Sequence, residues 1–562
     1  MKRIVALALL SVMLVLSLCA CGVDMEDKGA IIPVYLAPEF ANLDPSRTGY
    51  DKDLVKYTGL LYESLTEMTD SGKLRPALAK EWEERYNEER GEYFLTIKLV
   101  STKWNDGRAF TADQVVYAWK RALSPESDSA AASLLFDIKN ARDVKAGKLT
   151  VDDLGVATID TYTLEVEFEK PIDSELFLEA VSSPALVPLR DDAIVNKEDT
   201  WATNVDDLST VGKFSIKSMV PGGLYRLDFS KYYKLTKEAE AKKGYNEYVK
   251  PYKLLNDYAR TPAQALEAYR NGEVYYVGVL SKADYEANKG DVKTSDTLST
   301  YTYFFNCTNK ALSKASVRKA LSLALDRNEI ANLIGLGTKA SEGFVSSSAT
   351  GSSLTKKFRK DAGAVYSASA KVEEAKSLLG GANGSFSITY REDREWDKPV
   401  AEYAKGVWEK LGFTVSLTGL SGEEYEKAIA EGNFDCVAVD FNGLSTNAYS
   451  FLSVFARGFS GAPEDIESDE KALHVTGYAS EKYDELLNSV LEETDRGARN
   501  KILVEAEKLL AEECPAIALV EYENYYLASS DLKGLETSPY GYTLFTNATV
   551  KNYAENNKKF EE

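Results

Sequence analysis

Residues 103–123 read KWNDGRAFTADQVVYAWKRAL. Thr111 followed by Gln114 has the form of a capping box, in which each side chain satisfies a backbone N–H that the first helical turn leaves open. Ala112, Val115, Val116, Trp119, Ala122 and Leu123 then fall on one stripe, as in a helix with one face in a core. Upstream, EYFLTIKLV (92–100) alternates Tyr93, Leu95, Ile97 and Leu99. Downstream, LEVEFEKP (164–171) alternates Leu164, Val166 and Phe168 and stops at Pro171. Both read as strands with one buried face. Farther on, SFSITY (385–390), KPVAEYAKGVWEKLG (398–412) and FTVSL (413–417) predict a strand, a helix closed by Gly412 and a second strand. Such a βαβ unit places its strands parallel with a right-handed crossover. Helices are also expected over 480–491 and 499–512, and polar loops at 346–357 and 457–474. The chain is mixed α/β.

Its 562 residues exceed what one core usually serves, so two or three domains are expected. A formal net charge of −21 argues against nucleic acid and anionic headgroups as partners. Cys307, Cys436 and Cys514 are far apart and match no metal spacing; they read as free buried thiols. The single histidine, His474, lies in polar EDIESDEKALHVTGY and reads as a solvated side chain. With one histidine and none of the common nucleophile, zinc or phosphate-loop motifs, no catalytic residue, cofactor or metal site is expected.

The N-terminus reads as an export signal. Lys2 and Arg3 precede a short apolar run, which closes on Leu18-Cys19-Ala20-Cys21. That ending resembles the bacterial lipobox. The resemblance implies a signal over 1–20 and a lipid on Cys21 that holds the mature chain at the outer face of the cell membrane. An ordinary signal with a chance cysteine is the other reading.

Six blocks, in order, resemble the solute-binding lipoproteins of peptide-type ABC importers. They are the Asp44-Pro45 turn; Leu74, Pro76, Leu78, Ala79 and Trp82; the 103–123 block, with Trp104, Asp106, Gly107 and Trp119; Leu154, Gly155, Val156, Asp160, Thr163, Leu164 and Pro171; Asn306, Val317, Arg318, Ala320, Leu321, Ala324, Asp326 and Arg327; and the C-terminal GYASEKYDELL, AEKLLAEECPAIAL and LKGL. Trp104, Trp119, Arg318 and Asp326 read as scaffold. The resemblance implies a three-lobed periplasmic-binding-protein-like fold, class II and of the large peptide-binder type, with a hinge between lobes. Lobe I would comprise 21–62, 185–300 and 532–562, lobe II 63–184 and lobe III 301–531. It further implies a monomeric, non-enzymatic receptor that passes peptides or peptide-like solutes to an ABC permease.

Peptide binders of this kind carry an acid for the ligand's ammonium in a pattern like W-x-x-D-Y. Here FDCVAVDFNGLSTNAYSFL (434–452) puts Phe441 at the aromatic and Leu444 at the expected acid position. A buried ammonium without an anion is costly, so the anchor is missing or has moved. Asp440 is the nearest replacement, with a surface acid or turn cap as its rival reading. The expected ligand contacts are Tyr301, Phe304, Asn306, Asp440, Phe441, Asn442, Ser445 and Asn447. A non-peptide ligand (an oligosaccharide or metal chelate) is the alternative, and a surface hydrolase a weaker one.

Overall fold

The computed structural model describes residues 28–40, 42–46, 53–87, 89–198, 200–219, 223–234, 248–462 and 473–560. The signal and Cys21 lie outside them.

The opening motif forms as its pattern requires. The helix runs Ala112–Leu123 and buries Ala112, Val115, Ala118, Trp119, Ala122 and Leu123. Gln114 Oε1 accepts from the Thr111 backbone N–H at 2.8 Å and the Trp104 indole at 2.9 Å, tying the preceding turn to the helix start. That turn needs Gly107, whose φ of 91° disfavours a side chain. Strands Ala79–Asn87, Glu92–Leu99, Thr163–Phe168 and Val156–Asp160 form a four-stranded antiparallel sheet. Its alternating apolar face carries Leu95, Ile97, Leu164 and Val166 into the core against this helix.

An eleven-stranded sheet dominates the rest. Two long strands, Lys293–Phe305 and Ala516–Ala528, run antiparallel at its centre. On one side follow Cys436–Asn442, Gly384–Arg391 and Phe413–Leu420; on the other Tyr276–Val277, Ile31–Tyr35, Lys253–Asp257, Leu224–Phe229 and Phe214–Met219, and the short Lys339–Ala340 pairs with Ala516–Ala528 off this path. The βαβ expectation holds: Gly384–Arg391 and Phe413–Leu420 are parallel, joined through helix Asp397–Glu409. Strands of the N-terminal half and of the 384–442 region thus meet on the same two central strands. Their ladder is interrupted where they meet. Asp296 faces Glu523 and Thr300 faces Glu521, so Thr297, Leu298 and Ser299 stand against Tyr522 alone. The excursion is held by Thr297 Oγ1 donating to the Tyr522 carbonyl at 2.8 Å and Leu298 N–H to the Pro539 carbonyl at 3.1 Å.

The scaffold residues are bound as scaffold. Arg318 donates to the carbonyls of Leu312, Ser313, Glu513 and Cys514. Asp326 caps helix Arg327–Ile334 by accepting from Glu329 N–H. The later helices run Glu481–Glu492 and Arg496–Glu513; the second begins earlier than its periodicity suggests because Asp495 caps it. Cys307, Cys436 and Cys514 are free; the first is half-buried, the others buried, and burial pushes the Cys514 thiol up to about 12.

His474 corrects the sequence reading. It is buried, with its ring 4.9 Å from Phe304 and 4.5 Å from Phe455. Burial lowers its pKa to about 3. The polar neighbours in sequence gave no sign of these rings, which arrive from distant strands and turns.

Candidate functional site

The eight expected contacts fall into four environments. Phe304 and Phe441 belong to the buried aromatic cluster around Phe455, with Phe344 and Phe451 beside them. Both are buried. Asn306 lies at the far end of its strand, where its Oδ1 accepts from Thr308 N–H and its Nδ2 donates to the Phe434 carbonyl.

Ser445 and Asn447 lie in the loop after strand Cys436–Asn442, against an acid that sequence reasoning missed. Glu179 lies in the last turn of helix Ser174–Ala180 and is fully buried. Its Oε1 accepts from Thr350 Oγ1 at 2.5 Å and Thr446 Oγ1 at 2.6 Å; its Oε2 accepts from Arg496 Nη2 at 2.7 Å. Asn447 Nδ2 and Ser445 Oγ stand at 3.5 Å from its side chain and carbonyl. Arg499 makes a bidentate pair with Asp137 close by, at 2.6 and 2.9 Å. These contacts join residues 137–179 to residues 350–499 through buried charge.

Tyr301, Asp440 and Asn442 come together where the central ladder is interrupted. Tyr301 pairs with Asp440 and Ser299 with Asn442 across neighbouring strands. Asp440 is buried, so the surface-acid reading does not apply. Its Oδ1 accepts from Tyr522 Oη at 2.7 Å and from Arg394 Nη1 at 2.9 Å, while its Oδ2 has no hydrogen-bond partner among the described residues. Arg394 also lies 3.6 Å from Oδ1 of Asp397, a carboxylate with no exposed side-chain surface. Asp397 Oδ2 accepts from Arg391 N–H at 3.1 Å, and Arg391 itself pairs with Asp393 at 2.9 Å. Burial pushes the Asp397 carboxyl up to about 6; Arg394 opposes that and Asp440 adds to it. Burial also works against charge on Arg394, but Asp440 and Asp397 more than offset it and hold its guanidinium well above its ordinary range. Burial, reinforced by Asp440, raises the Tyr522 phenol.

The loop carrying Arg394 packs against the N-terminal half. Trp396 lies on the cluster containing Tyr35, Leu266, Tyr285 and Tyr525, and Glu395 Oε2 accepts from Lys282 N–H at 3.4 Å. Sequence reasoning missed Arg394 and Asp397. The available signal was the dense REDREWD stretch (391–397) between a strand and a helix. Leu444, by contrast, is buried in the apolar core. Among the described residues, no group of three or more His, Cys, Asp or Glu is placed to hold a metal ion, and no helix is long and apolar enough to cross a membrane.

The family model "Bacterial extracellular solute-binding proteins, family 5 Middle" matches residues 73–462. The Dipeptide-binding protein DppE of Bacillus subtilis is 25% identical over 496 residues, covering 86% of this chain and 85% of that protein. The Escherichia coli protein named "Probable deoxycholate-binding periplasmic protein YgiS" is 27% identical over 478 residues, covering 82% of each. The structure of Listeria monocytogenes OppA bound to peptide superposes with a TM-score of 0.76 at 22% identity, covering 93% of this chain and 99% of that one. The chain shares that fold.

Proposed function

Because this chain belongs to the bacterial extracellular solute-binding proteins of family 5, we propose that it is the capture subunit of an ABC importer, taking up a peptide or peptide-like solute outside the membrane and handing it to the permease. The observation that carries this reading is the sheet junction. Two long strands serve both halves of the large sheet, and their ladder breaks at Thr297–Ser299. Few backbone torsions need change there for one body to swing on the other, as hinge closure around a ligand requires.

In this reading lobe I comprises 21–62, 185–300 and 532–562, lobe II 63–184 and lobe III 301–531. The ligand lies between lobes I and III, beside Tyr301, Asp440, Asn442 and Trp396. Ser445 and Asn447 serve closure, through Glu179, and Phe304 and Phe441 support the strand from behind. Asn306 is too remote to take part. The protein is exported, and a lipid on Cys21 keeps it at the outer face of the membrane. It works as a monomer.

A non-peptide solute is the second reading. It is favoured by the relative whose name specifies deoxycholate and by an Asp440 already paired inside the protein. The test is mass spectrometry of small molecules released on denaturing the freshly purified protein, since ligand bound to the folded form alone is retained by mass action. A ladder of short peptides is expected. One discrete non-peptide compound would reject the peptide reading and leave the family assignment standing.

A further inference from the structure

Residues 63–184 and 301–531 meet through charge at one corner, where helix Glu481–Glu492 ends and helix Arg496–Glu513 begins. Lys170 pairs with Glu492, Glu179 with Arg496 and Asp137 with Arg499. The Glu175 carboxylate stands a further 4.0 Å from Arg496. The two arginines lie three residues apart in the first turn of the second helix. That end of a helix already carries partial positive charge, and both guanidiniums add to it. One carboxylate of the same segment, the capping Asp495, stands against the two of them. Glu179 is misplaced in the opposite sense, in the last turn of helix Ser174–Ala180, where the partial charge is negative. Among the described residues its side chain takes hydrogen bonds only from across the seam, from Thr350, Thr446, Asn447 and Arg496. Each of these charges is poorly placed in its own element and well placed only against the other body. Such a break of local rules marks a functional position.

We propose that this corner is a closure latch: Arg496 and Arg499 engage Glu179 and Asp137 as the lobes come together, and hold the receptor closed through contacts in which the solute takes no part. The proposal rests on the hinged-receptor reading above. Residues 63–184 are tied to the N-terminal half, through Asp44 with Arg121 and Asp106 with Arg190, both at 2.7 Å, and Glu63 with Lys213 at 3.3 Å. A swing at Thr297–Ser299 therefore carries them away from 301–531 together with that half. Opening returns two guanidiniums to the positive end of their helix and strips Glu179 of its donors. Water repays part of this, because separated charges regain hydration. The adverse helix ends tilt the remainder toward closure. The closed form is then populated ahead of the solute, and release waits on the latch.

The experiment is small-angle X-ray scattering on the full chain, freed of bound solute by unfolding in urea and refolding, with closure read as the radius of gyration. The wild type is expected to scatter as the closed form. Arg496→Gln combined with Arg499→Gln is expected to cut the closed-to-open ratio about a hundredfold and raise the radius of gyration. Exchanging one pair, Asp137→Arg with Arg499→Asp, is expected to keep the chain compact, which loss of either charge alone does not. A solute-free wild type that is open, or a double glutamine variant that folds and scatters as the wild type, overturns the latch. If the double variant fails to fold, the solute-free wild type decides alone. Failure of the receptor reading shows separately, as freshly purified protein that releases no solute on denaturation.

Discussion

The buried pair of Glu179 and Arg496 offers a quantitative test of how the 137–179 region is held to the 350–499 region. Glu179→Ala removes the carboxylate that Thr350, Thr446 and Arg496 share, and leaves the 6%-exposed Arg496 side chain with only the half-exposed Glu175 carboxylate, 4.0 Å away. Stranding one member of a buried ion pair costs about 3–5 kcal/mol. Arg496→Met strands the carboxylate instead and is expected to cost a similar amount, softened by the two threonine hydroxyls. Removing both charges together strands neither, so the double variant should cost less than the sum, with a coupling energy of about 2 kcal/mol. Urea unfolding followed by tryptophan fluorescence and by circular dichroism gives the cycle, provided the two probes report coincident transitions. A coupling below about 0.5 kcal/mol would refute the reasoning, because the two charges would then not depend on one another.

Three further outcomes are expected. His474 stays neutral in the folded chain down to about pH 3, whereas the unfolded chain protonates it near its ordinary 6.5. Stability should therefore fall by about 1.4 kcal/mol per pH unit as pH drops through that window, and His474→Phe should flatten the acid limb of the urea midpoint against pH. Asp397 acts with the opposite sign: its carboxyl is raised to about 6 in the folded chain, a penalty at neutral pH that is relieved as pH falls through 6. Asp397→Asn should gain on the order of 2 kcal/mol near neutrality and converge with the wild type in acid, again read from urea midpoints. Cys21→Ser should move the protein from the membrane fraction to the soluble fraction; a variant that stays with the membranes rejects the lipid anchor.

Local signals carried most of the fold. The Thr111 cap, the stripe behind it, and the strand–helix–strand alternation after Ser385 each depend on neighbours within a few turns, and each forms as its pattern suggests. The site was less legible because its pairings are remote. Arg394 meets Asp440 and Tyr522 only after strands from three parts of the chain align, and in sequence it sits in a charge run of the kind that usually faces water. Glu179 sits in a short helix whose apolar residues conceal where its acid points. Asp440 and Leu444 show both sides of this. The resemblance put Leu444 at the position of an expected acid and offered Asp440 in its place, while their surroundings, an apolar core and a guanidinium, were visible only in three dimensions.

The pairing of Lys293–Phe305 with Ala516–Ala528 also bears on when the chain can fold. Cys436–Asn442 pairs with the first of these strands and Tyr276–Val277 with the second, so the two sides of the large sheet are joined only when both are present, and more than two hundred residues separate them. An emerging chain cannot join the two sides until nearly all of it has been made. Closing so long a loop is slow compared with local helix formation. For an exported protein that delay has a use: the junction that ties the two sides into one sheet is completed only after the C-terminal strand has emerged.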